Sequence, residues 1–95
     1  MKKKNYIIID SKDNCATAVD NIPQDAKIEL NNKTININES ILLGHKFAIV
    51  NVKKGSPIIK YGEVIGISKE DINEGDWIHM HNIKSRILSE VLNDG

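Results

Sequence analysis

The sequence predicts a mainly β domain, a folded ribbon of short strands with one clear hairpin. Three observations carry this. β-Branched and alternating segments recur at short intervals. A seven-residue hook occurs three times. Glycine or aspartate stands at the centre of each hook.

Taken in order, Lys2-Lys3-Lys4 reads as a solvated tail, and residues 1–5 are set apart from the domain as flexible. Ile7, Ile8 and Ile9 begin a β-branched run typical of a buried strand. Ser11-Lys12-Asp13-Asn14 is a turn, and Asn14 to Val19 a second strand. Ile28 and Leu30, then Asn31-Asn32-Lys33, then Ile35 and Ile37 form a hairpin. Both arms alternate apolar and polar, and asparagine tolerates the left-handed backbone that tight turns need. Asn38 to Leu43 is a connection with room for one helical turn. Gly44 introduces a strand from Lys46 to Val52. Gly62 and Gly66 flank one more tight strand, Glu63-Val64-Ile65.

The hooks are Ile22-Pro23-Gln24-Asp25-Ala26-Lys27-Ile28, Val52-Lys53-Lys54-Gly55-Ser56-Pro57-Ile58 and Ile72-Asn73-Glu74-Gly75-Asp76-Trp77-Ile78. Each is an apolar anchor, a reversal and a re-entry into strand. Glycine suits the reversal because it takes positive φ without steric cost. The prolines sit inside hooks, where a missing N–H does least harm. After Asn82 the pattern changes. Ile83, Ile87, Leu88 and Val91 fall at helical spacing, with Asn82 or Ser85 as caps. Residues 6–82 are therefore expected to form the domain, and 83–95 a short helix or tail suited to docking.

The 95 residues fit one domain, with 40% apolar and 27% charged residues, ordinary values for a globular protein. Thirteen basic residues balance thirteen acidic ones, so there is no general pull on nucleic acid. The single tryptophan and few other aromatics offer no stacking platform for single strands. Tyr6 to Ile9 is too short for a signal-peptide apolar region or a membrane span, and a cytoplasmic location is the default expectation. Cys15, the one cysteine, has no internal disulfide partner and no metal-thiolate spacing around it.

Three histidines are the main carriers of chemistry: His45, His79 and His81. On a strand, residues two apart share a face at roughly 7 Å. His79 and His81 suit a shared ion or anionic ligand, or are simply polar residues at a solvent-facing strand end. A metal needs nitrogens at about 2.0–2.1 Å and a further ligand. Lys60, beside Tyr61-Gly62, suits a carboxylate clamp or is an exposed lysine next to a core-edge tyrosine. Trp77 covers core edge or an interface. No phosphate-binding glycine loop, nucleophile elbow or zinc-metallopeptidase helix motif is present.

Four segments stand in a telling order: Asp13-Asn14-Cys15-Ala16-Thr17-Ala18, Gly44-His45-Lys46-Phe47-Ala48, Lys60-Tyr61-Gly62-Glu63-Val64-Ile65-Gly66, and Gly75-Asp76-Trp77-Ile78-His79-Met80-His81-Asn82. Together they resemble the N-terminal domain of altronate and galactarate dehydratases, an SAF domain with a β-clip fold. The resemblance runs from about Tyr6 to Asn82. It implies a part in eliminating water or sulfite from a hydroxy acid, next to its carboxylate. In long members the domain precedes a larger catalytic domain. In the (2R)-sulfolactate sulfo-lyase type it is a small chain paired with a large one, and this short chain looks like that type.

The resemblance further implies a large catalytic lyase subunit as partner, a sugar acid or sulfolactate as substrate, and a divalent metal, with iron(II) favoured. On that reading His79 and His81 bind metal or substrate oxygens, and Lys46 and Lys60 neutralise the carboxylate. Asn14 and Asn82 hydrogen-bond hydroxyls, and His45 orients the cluster. The alternatives are a free-standing carbohydrate or sugar-acid binding module, or an interaction domain docking or homo-oligomerising through the 83–91 stripe. Two departures stand out. Asp25 replaces the glycine expected in its hook, implying an altered turn, and the hairpin from Asn31 to Asn38 carries no family signal.

Overall fold

The computed structural model describes residues 4–79 and 82–85. Their regular structure is entirely β: β1 (Tyr6–Ile7), β2 (Cys15–Ala18), β3 (Lys27–Leu30), β4 (Lys33–Asn36), β5 (Lys46–Ala48), β6 (Pro57–Lys60), β7 (Glu63–Ser68), β8 (Trp77–Ile78) and β9 (Ile83–Ser85). All pairings are antiparallel. A four-stranded sheet has the order β1-β2-β5-β8, β3 and β4 form a hairpin, and a three-stranded sheet has the order β6-β7-β9.

The hook is the building unit, and the described residues contain four, not three. Besides the hooks centred on Asp25, Gly55 and Gly75, Ile41-Leu42-Leu43-Gly44-His45-Lys46-Phe47 folds the same way. All four central residues have φ between 70° and 91°. In each, the central N–H donates to a carbonyl on an incoming strand, and that strand residue's N–H donates back to the next carbonyl of the hook. The pairs are Asp25/Ala26 with Ile37, Gly44/His45 with Ala18, Gly55/Ser56 with Ser68, and Gly75/Asp76 with Ala48, all at 2.8–2.9 Å. Asp25 makes the same turn as the glycines, so the altered turn expected there does not occur. Aspartate tolerates the left-handed region better than most residues.

The hooks work in reciprocal pairs. Ile22 bridges Ile41, and Val52 bridges Ile72. The strand entering the Asp25 hook ends at Ala18, which receives the Gly44 hook. β4, leading to the Gly44 hook, ends at Asn36, and the next residue, Ile37, receives the Asp25 hook. The Gly55 and Gly75 hooks repeat this through Ala48 and Ser68. Each pair also makes its own core. Ile22, Ile28, Ile41 and Phe47, three residues either side of the first two reversals, lie in one cluster with Ile35, Ile37, Ala16 and Ala18. Val52, Ile58, Ile72 and Ile78, the equivalent positions of the second pair, lie in another with Cys15 and Ala48. Period-2 alternation explains how one sheet serves both. Ala16, Ala18 and Phe47 face the first cluster, and Cys15, Ala48 and Ile78 the second.

Three expectations are corrected. Ile7 and Ile9 are not buried: β1 is a two-residue edge strand, and Ile7 and Ile9 are 46% and 50% exposed. Tyr6 and Ile8 turn inward instead. The expected helix does not begin at Ile83, because Ile83–Ser85 is β9 and pairs with Ser68, Ile67 and Gly66 of β7. The sheet thus continues past Asn82. The rest of the expected helix, residues 86–95, and the tail residues 1–3 lie outside the described residues. The connection from Asn38 to Leu43 contains no helical turn. No helix among the described residues is long and apolar enough to cross a membrane, which says nothing of β-barrels.

Candidate functional site

Antiparallel register gathers the candidate side chains. Phe47 pairs with Trp77 and Lys46 with Ile78. One step further along, His45 comes opposite His79. Both follow reversals, at Gly44 and Gly75, that aim strand starts into the same sheet. The two imidazole centroids are 5.7 Å apart, at 64°. Trp77, on the same face, stacks on His79 at 4.8 Å and 23°, and lies 5.5 Å from His45. Its indole Nε1–H donates to His45 Nδ1 at 3.2 Å. Three rings brought from the Gly44 and Gly75 hooks thus form one aromatic and imidazole cluster at the edge of the four-stranded sheet.

Asn82 holds this cluster from behind. Its Oδ1 accepts the His79 backbone N–H at 2.9 Å, and its Nδ2–H donates to the Trp77 carbonyl at 2.6 Å. Asn82 is itself 3% exposed. Asn14 is used in a similar way against β6. Its Nδ2–H donates to Pro57 O at 2.9 Å and its Oδ1 accepts Ile59 N–H at 2.8 Å, clamping β6. Both amides expected to bind substrate hydroxyls are therefore already engaged with backbone.

The lysines lie on the sheet's second face. Lys46 is half-buried and paired with Thr17. Lys60 is 3% exposed. Its ammonium donates to Thr17 Oγ1 and sits 4.5 Å from the Tyr61 ring centroid, a cation–π contact. Lys46 and Lys60 thus flank one threonine, while His45 and His79 gather across the sheet from it. Lys46 follows His45 directly, so the start of β5 supplies one group to each face.

Asp13 was not singled out as a site residue. It is 7% exposed and accepts N–H bonds from Asp10 and Gly62. Burial pushes its carboxyl upward. Backbone N–H bonds from Gly62, Asp10 and Tyr61, with the charge of Lys60, outweigh that and hold it below the ordinary 3.8. Its sequence signal was its place before a strand, opposite a Tyr-Gly turn. Tyr61 and Gly62 both have positive φ, 59° and 72°, as does the Asn31-Asn32 turn of the other hairpin. Cys15, fully buried, has its thiol pushed up to about 11, chiefly by burial.

His81, the other member of the expected metal pair, lies outside the described residues. Among the described residues no group of three His, Cys, Asp or Glu side chains is placed to hold a metal ion. His45 and His79 alone do not fit a divalent metal, since catalytic zinc sites, for comparison, take three protein ligands.

A ribbon of reciprocal hooks with polar strand starts gathered at a sheet edge defines a β-clip domain. The altronate/galactarate dehydratase SAF domain model matches residues 4–86, and the chain belongs to that family. It is 34% identical to the altronate dehydratase of Escherichia coli over 82 residues, which are 86% of this chain and 17% of that enzyme. It is also 34% identical to the Bacillus subtilis altronate dehydratase over 88 residues, 93% of this chain and 18% of the enzyme. The (2R)-sulfolactate sulfo-lyase subunit alpha of Chromohalobacter salexigens matches at 34% over 50 residues, 53% of each chain. The chain thus spans less than a fifth of the length of the dehydratases it matches.

Proposed function

We propose that this chain positions a hydroxy-acid substrate for a larger catalytic lyase partner, in a dehydration or a desulfonation. The observation that carries this is the meeting of His45 and His79 at 5.7 Å, built by the reversals of two hooks in a domain of this family. An elimination next to a carboxylate needs charge neutralised at the carboxylate and hydrogen bonds to oxygens that gain charge. His45 and His79 have the chemistry for the second task. Lys46, half-buried at the start of β5, has it for the first. Lys60 acts indirectly, as a buried cation supporting Thr17 and Asp13. Asn14 and Asn82 hold the strands that present the site.

The size of the dehydratases matched supports the partner, because most of their length lies outside this domain. The test is reconstitution. The chain alone should show no turnover of altronate, galactarate or sulfolactate, and turnover should appear when its large partner is added. In the complex, His45→Ala with His79→Ala should lower kcat/KM by about 10²-fold or more, the scale on which hydrogen-bonding and acid–base groups act. Full activity of that double variant would overturn the reading.

A further inference from the structure

We infer that Trp77 is a positioning residue that locks His45 in one tautomer, so that His45 serves the site as a hydrogen-bond donor to a ligand oxygen. A neutral imidazole has one N–H and one lone pair, and the partner of one nitrogen decides the state of the other. Trp77 Nε1 can only donate, and it donates to His45 Nδ1. Nδ1 therefore carries the lone pair, and Nε2 carries the proton. With Nδ1 filled and Nε2 protonated, neither nitrogen offers a lone pair to a metal while the indole bond stands. What His45 presents is an N–H, which suits a carboxylate, hydroxyl or sulfonate oxygen.

The geometry around the pair keeps it in place. Trp77 is pinned to Phe47 by backbone pairing and packs on the first core. Its carbonyl is held by Asn82. His45 is fixed by Ala18, whose N–H donates to the His45 carbonyl at 2.8 Å. The ring that sets the tautomer is thus anchored to the sheet and does not depend on bound ligand. The inference rests on the proposed function only for the identity of the oxygen. The tautomer itself belongs to the chain alone and is measured without partner or substrate.

The experiment is long-range ¹H–¹⁵N correlation NMR of the ¹⁵N-labelled chain, about two pH units above the ordinary histidine range near 6.5. His45→Gln assigns the resonance. The wild-type ring should show a single tautomer protonated at Nε2. In Trp77→Phe, which keeps a ring but removes the donor, His45 should become a mixture of both tautomers. One equivalent of Zn(II) should leave the wild-type Nε2–H correlation in place. Should Trp77→Phe fail to fold, the reverse probe serves: solvent exchange of the Trp77 indole N–H should speed up about fivefold in His45→Ala, which leaves no side-chain acceptor, the scale of one net hydrogen bond. A wild-type His45 protonated at Nδ1, a tautomer mixture unchanged by Trp77→Phe, loss of the Nε2–H on adding zinc, or unchanged indole exchange would each overturn the assignment.

Discussion

The carboxylate of Asp13 accepts the backbone N–H of Gly62 at 2.9 Å, tying the turn before β2 to the turn between β6 and β7. Because Asp13 is ionised more readily in the folded chain than in the unfolded one, this contribution depends on pH. The stability it adds is present above the unfolded value near 3.8 and is lost as pH falls through the lower folded value. Asp13→Asn should destabilise the domain at pH 7, on the scale of about 1.5–3 kcal/mol for a hydrogen bond to a charged group. In urea titrations the gap to wild type should narrow below the unfolded value. A constant gap across that range would show that the charge is not what matters.

Cys15 gives the opposite sign. Its thiol is held up at about 11 against an ordinary 9.0 because burial disfavours the thiolate. The folded state keeps the proton longer, so this contribution is full below 9.0 and lost as pH rises toward 11. At pH 8 the native chain should react with iodoacetamide far more slowly than the urea-unfolded chain, as mass spectrometry would read directly. Equal rates would mean the site opens freely.

Gly75 is the least replaceable of the four reversals. A Cβ built there would lie 1.9 Å from the Asn36 carbonyl oxygen, and φ is 91°. Gly55 has a similar φ but open space around it. Gly55→Ala should therefore cost only the backbone strain, about 1–2 kcal/mol. Gly75→Ala adds a clash with backbone and should cost clearly more, abolishing the two-state melt or lowering its midpoint well below that of Gly55→Ala. Equal midpoints would contradict the close approach of β4 to the Gly75 hook.

Much of this architecture was legible in the sequence. The hairpin at Asn31-Asn32 and three hooks show in spacing and turn chemistry alone. The fourth was hidden because Leu42 and Leu43, both exposed, stand where the other hooks carry Pro-Gln, Lys-Lys and Asn-Glu. The Ile41, Gly44 and Phe47 spacing was there, identical to Val52, Gly55 and Ile58. Pairing His45 with His79 needs the register between β5 and β8, which no local pattern encodes. The same holds for the Lys60–Thr17 bond, which spans two strands in different sheets. Burial of Lys60 also ran against its residue type, since lysine is rarely buried without a partner.

That lysine allows a last test, because its charge reaches two other groups. Lys60 lowers the Asp13 carboxyl and opposes the rise of the Cys15 thiol. Lys60→Met keeps the length and apolar stem but removes the ammonium. Asp13 should then titrate at higher pH, read by ¹³C NMR of its carboxyl carbon, and Cys15 should become still harder to deprotonate. Lys60→Met should also lower stability, because it removes the donor to the Thr17 hydroxyl and the charge facing the buried Asp13 carboxylate. In the reconstituted lyase, Lys60→Met should change activity less than Lys46→Met, since Lys60 is enclosed and Lys46 is not. A larger loss from Lys60→Met, with Asp13 unmoved, would place Lys60 directly on the substrate and return it to the role of carboxylate clamp.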